Sequence, residues 1–203
     1  MHMLLRKPER KRGYKKERIL RVLLCHTDEE ITKYQVAKEA DVSEPWCREY
    51  TEKLEEKGLL KDTEVLDPAQ LYEEWLEIRI NPNQTEVSLQ NPEKVLQDTE
   101  LSYRLTTYKA ENLVQGFLFV STTDFYVDPT ETEEWQELIE NKGLIGGGNT
   151  RIRVTDEHVF YNSQQLGDFQ VVSTPQLILD LLDEGGPCTQ AAEKLIAKYH
   201  GEN

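Results

Sequence analysis

The chain has 203 residues, 37% hydrophobic and 31% charged, with a net charge of −14 and a mean hydropathy of −0.67, enough apolar content to bury a sizeable core beneath a heavily charged surface. No run of about 18 apolar residues is present, and the basic start MHMLLRKPERKRGYKK is not followed by an apolar stretch of signal-peptide length, so the expectation is a cytoplasmic protein without a membrane span. Three widely spaced cysteines, Cys25, Cys47 and Cys188, and four histidines without ligand spacing argue against a disulfide framework or structural zinc, and no metal or cofactor is expected.

The charge is unevenly spread. Residues 1–21 hold nine Lys/Arg against two Glu, a balance of +7, whereas residues 22–64 sum to −6 and the remainder to −15. This asymmetry suggests a polyanion-binding front end on an acidic body, the alternative being a solvated tail. Within the run, Arg10, Lys11, Arg12, Lys15 and Lys16 are the candidate phosphate contacts.

In chain order, YKKERILRVLLCH at 14–26 carries Ile19, Val22 and Leu23 at helical spacing. Thr32 can cap a short second helix, KYQVAKEA, and the turn ADVS leads to a third helix with Ser43 as N-cap and Pro45 in its first turn. On that helix Cys47, Tyr50, Thr51 and Leu54 share one face, and Gly58 ends it. The extended segment LLKDTEVL follows. Three helices, a tight turn before the last and a strand pair after it form a winged helix-turn-helix pattern, with a ligand-free helical bundle as the plainer alternative.

The face of the third helix turned away from the core would present Pro45, Trp46, Arg48, Glu49 and Lys53, besides Glu44 and Glu52. Arg48 suits guanine, Glu49 suits cytosine, and Pro45 and Trp46 suit thymine methyl groups. The carboxylates oppose a phosphate array, so the basic N-terminal run would supply the holding charge.

DPAQLYEEWLEIR at 67–79 reads as a further helix capped by Asp67, and NPNQTEVSLQNPEK as a linker. The chain thus divides into residues 1–80, a winged helix-turn-helix domain with a basic arm, and residues 92–203, a mixed α/β domain. In the second unit, LTTYKAENLV and PTETEEWQELIENKG read as helices, FLFVSTTDFYVD as strand-rich with a turn at Thr122 and Thr123, and TRIRVT, HVFYN and FQVVS as strands. Ser173 opens the apolar helix PQLILDLLDEGG, and TQAAEKLIAKYH closes the chain. The glycine run GLIGGGNT lacks the Lys-Ser/Thr of a phosphate loop and leads into a strand, so it reads as a strand connection. Asp124, Asp128 and Asp156 lack the His or Lys partners of a hydrolytic site, and no enzymatic activity is expected.

The order YRLTTYKAENLV, a strand ending FYVD, NTRIRVTDEHVF, VVSTPQLILDLLDEGG and AAEKLIAKY resembles the C-terminal domain of AbiEi-type antitoxins of type IV toxin-antitoxin systems. The likeness runs from about residue 14 onward, with VVSTPQLILDLL its most specific piece. It implies a winged helix-turn-helix autorepressor that binds an operator in double-stranded DNA and opposes a nucleotidyltransferase-like toxin. The DNA-binding role then falls on Ser43 to Lys57 and the antitoxin role on residues 92–203. The competing expectation is a protein-protein interaction module whose winged helix no longer binds DNA.

Overall fold

The computed structural model describes residues 5–6 and 12–201. The protein is mixed α/β. Its first half begins with α1 (Tyr14–Cys25), which buries Ile19, Leu20, Val22, Leu23 and Leu24. Helix α2 (Lys33–Glu39) starts on a capping box: Thr32 accepts from the Gln35 amide while the Gln35 side chain accepts from the Thr32 amide. Helix α3 (Glu44–Glu56) carries Pro45 in its first turn and stops before Gly58, whose φ of +74° suits a residue without Cβ. Strands β1 (Leu60–Lys61) and β2 (Glu64–Val65) pair antiparallel, and α4 (Pro68–Ile78) follows with Asp67 accepting from the Gln70 amide at 3.1 Å.

The stretch expected as a linker instead forms β3 (Asn83–Leu89) and opens α5 (Pro92–Asp98). Its alternation buries Val87 and Leu89 on one face, a strand period that the flanking Asn-Pro pairs obscure in the sequence. After it come β4 (Tyr103–Thr106), α6 (Thr107–Val114), β5 (Thr123–Val127), α7 (Thr132–Lys142), β6 (Gly143–Ile145) and β7 (Thr150–Val154). The chain ends with β8 (Gln164–Leu166), β9 (Phe169–Val171), α8 (Thr174–Glu184) and α9 (Pro187–His200).

Strands β3 to β9 make a seven-stranded sheet in the order β6-β3-β7-β5-β4-β9-β8, with β5–β7 and β4–β9 parallel and the other pairs antiparallel. The central β5 is buried along its whole length, as a strand covered on both faces must be. HVFYN is not a strand: Glu157–Phe160 form a 3-10 turn that packs Val159 inward. The turn expected at Thr122 and Thr123 also moves, because Thr123 already pairs with Thr150 as the first residue of β5. One apolar core runs from Leu5 and α1 through the sheet to α8 and α9. Helix α1 packs on α4 and α8.

The glycine run serves a crossing. The chain leaves β6 on one side of β3 and joins β7 on the other, and Asn149 ties the crossover down by bonding both the amide and the carbonyl of Leu89. Gly148 lies against β3 so closely that a Cβ there would sit 2.1 Å from the Val87 carbonyl oxygen. Gly148→Ala should therefore cost about 3 kcal/mol in urea unfolding, toward the upper end for point mutants; an unchanged midpoint would contradict this account of the crossover.

Candidate nucleic-acid interface

Helix α3 buries the residues its spacing selected: Cys47, Tyr50 and Leu54 are 0%, 6% and 1% exposed. Burial raises the Cys47 thiol to about 11, which makes it an inert apolar side chain. Of the expected outward residues, Pro45, Arg48, Glu49 and Lys53 are exposed, as is Ser43, the expected cap. Trp46 is not free. It is half-buried against the core and stacks on Tyr50 with ring centroids 5.8 Å apart. Nor does the Ser43 side chain cap the helix, which relies on its backbone and Pro45 at this end.

The two exposed cations of α3 have partners on the same helix. Arg48 bonds Glu44 at 2.8 Å and Lys53 bonds Glu49 at 2.6 Å, each one turn apart. These pairs raise the Arg48 pKa through the Glu44 hydrogen bond and lower that of Glu49 through the Lys53 hydrogen bond. At the hairpin, Lys33 bonds Glu55 and Asp62, and Lys57 bonds Glu74 at the far end of α3. With Glu52 and Glu56 also exposed, this surface supplies little uncompensated positive charge.

That charge comes from α1. Lys15 Nζ lies 5.9 Å from the Trp46 ring centre and Lys16 Nζ 5.5 Å from that of Tyr50, so the first turn of α1 rests against the opening turns of α3. Arg12 is exposed just before it, while Arg10 and Lys11 lie outside the described residues. The remaining α1 cations face inward. Arg18 bonds Asp156 through two nitrogens at 2.6 Å and also meets Asp41. Arg21, 4% exposed, donates to Gln176 at 2.9 Å and lies over the Trp75 ring.

Beneath this surface a buried polar layer joins the N-terminal helices to the rest of the protein. Glu17 accepts from Trp75 Nε1 and the Ile80 amide, each at 3.0 Å. Burial raises its pKa, with Arg21 opposing. Arg79, at the end of α4, donates to Asp180 of α8 at 2.6 Å, and Asp180 also accepts from Tyr126, Thr106 and Gln176. Burial alone would raise the Asp180 pKa, but Arg79 and Arg153 outweigh it and hold the carboxyl below its usual range. Sequence reasoning missed both residues. The one available signal was an acid within LILDLL, an apolar run flanking it on both sides, on a helix whose residues three and four positions back, Leu177 and Gln176, are buried.

Histidines close the same layer. His158 Nδ1 accepts from Arg21 at 2.9 Å, its Nε2 donates to the Glu39 carbonyl at 2.9 Å, and its ring stacks on Tyr161. His26 contacts Glu29, Glu39 and the Tyr161 hydroxyl. Among the described residues no cluster of His, Cys, Asp and Glu could hold a metal ion, and no helix is long and apolar enough to cross a membrane. Comparison with family models, curated proteins and solved structures gave no match for this chain.

Burial and the adjacent Arg21 lower the His158 pKa from 6.5 to about 4. The unfolded chain then binds more protons between these two values, so the stability from neutral His158 is complete above about pH 6.5 and lost as pH falls toward 4, about 3 kcal/mol in all. Urea unfolding should give a plateau above pH 7 and a decline from 6.5 to 4 that is shallower in His158→Asn; equal slopes in both proteins would contradict the assignment.

Proposed function

We propose that the chain is a non-enzymatic, DNA-binding transcriptional regulator in which α1 to α3 and the β1–β2 hairpin act as a winged helix-turn-helix. It would repress its own operon and serve as the antitoxin of a type IV toxin-antitoxin system, the remainder of the chain opposing a nucleotidyltransferase-like toxin. The contact of Lys15 and Lys16 with Trp46 and Tyr50 carries the DNA reading, because it merges the basic start and the third helix into one surface. On a duplex, Arg12, Lys15 and Lys16 would neutralise phosphates while Pro45 and Arg48 met base edges. Arg48 and Lys53 would first exchange Glu44 and Glu49 for the nucleic acid. These exposed pairs are weak and salt-screened, so the exchange is permitted.

One observation favours a second reading. The cations of α3 are paired within their own helix, and the exposed carboxylates around them suit a basic protein better than a polyanion. The chain would then be an interaction module built on a helix-turn-helix frame.

Anisotropy titrations with duplexes from the region upstream of the gene separate the two. Lys15→Ala with Lys16→Ala should weaken all duplexes alike and make the log K against log salt slope shallower by about 2. Arg48→Ala should cost about tenfold on the preferred duplex and little on others. Absence of duplex binding at low salt would overturn the regulator and leave the interaction module.

A further inference from the structure

A concave surface lies where the start of α4 faces the last turns of α9. The groove has a volume of about 520 Å³, within the range of about 300–1,000 Å³ that accommodates specific ligands or a few inserted side chains. Its floor is apolar: Pro68 and Ala69 come from α4, and the half-buried Ile196 and Ala197 from α9. Its charge is of one sign. Asp67 and the exposed Glu193 line it, and among the described residues no lysine or arginine does. Of the two lysines on α9, Lys194 turns to the Phe117 ring 5.0 Å away, and the exposed Lys198 in the last turn is not part of the lining.

Two helix ends of opposite dipole sign meet at the groove, the last turn of α9 at His200 and Gly201, which also carries Lys198, and the first turn of α4 at Pro68, so the sign is set by the side chains that line it. His200 adds no positive charge of its own, because its nitrogens are held by the Tyr72 and Thr27 hydroxyls and burial lowers its pKa to about 4.

We propose that this groove docks a protein partner through a short apolar segment bearing lysine or arginine, whose apolar side chains cover Ile196 and Ala197 while the cation meets Glu193 and Asp67. Apolar burial would supply the affinity, and the one-signed rim would select a cationic segment over a neutral or acidic one. This docking does not depend on duplex binding by α1 and α3.

Three fluorescein-labelled leucine-alanine peptides of about 14 residues, identical except for lysine, glutamine or glutamate at two positions, test it by anisotropy against the full chain at about 0.15 M salt. The lysine peptide should bind about tenfold tighter than the glutamine peptide. Ala197→Trp, which fills the groove, should abolish this binding, and Glu193→Lys should shift preference to the glutamate peptide, with circular dichroism melts confirming that each variant is folded. If Ala197→Trp does not fold, the exposed Glu193→Lys decides. Equal binding of the three peptides, no binding, or lysine-peptide binding that survives both substitutions would overturn the proposal, the last by assigning the attraction to the acidic surface elsewhere.

Discussion

Asp180 carries a charge at the centre of the protein with no exposed surface of its own. An isolated carboxylate there would cost several kcal/mol, on the order of the stability of the whole fold. Arg79 offsets that cost from the end of α4, Thr106 and Tyr126 from β4 and β5, and Gln176 from one turn back on α8. Four elements from both halves of the chain thus converge on one side chain. Glu17 repeats the device a short distance away, bonding Trp75 in α4 and the Ile80 amide just beyond it. Together the two carboxylates fix α4 against α8 and α1 against α4, which sets where the first turn of α1 meets α3.

This arrangement changes what the basic N-terminal run can do. By sequence it is an arm of cations ahead of an acidic body. In the fold its members divide: Arg18 and Arg21 join the N-terminal helices to the rest of the protein, while Arg12 stays exposed, Lys15 lies over Trp46 and the half-buried Lys16 over Tyr50. On α3 the one-turn spacing that sends Arg48 and Lys53 outward also sets each beside a carboxylate. The usable positive charge therefore gathers at the seam between α1 and α3 rather than along the third helix.

The sequence made some of this legible. Helical periodicity identified α1, α3 and α4 nearly to the residue, and cap chemistry at Thr32 and Asp67 marked the starts of α2 and α4 correctly. The sheet was harder to see. Strand β3 lies between two Asn-Pro pairs that imitate a linker, and β4 and β8 are four and three residues long, too short for an alternation to stand out. Trp46 was assigned outward by angle alone, yet a side chain of that size reaches back across Tyr50. The Asp180 layer depends on pairings 54 to 101 residues apart, which no local pattern encodes.

If these buried carboxylates bind the halves into one body, the N-terminal helices cannot open separately from the sheet. Native-state hydrogen exchange in increasing urea tests this most directly. The slowest amides of α1, α4 and β5 should converge on a single opening free energy in the natural sequence, and Asp180→Asn should lower all three together. Exchange of α1 and α4 through an opening well below that of β5, with Asp180→Asn affecting only one group, would contradict it.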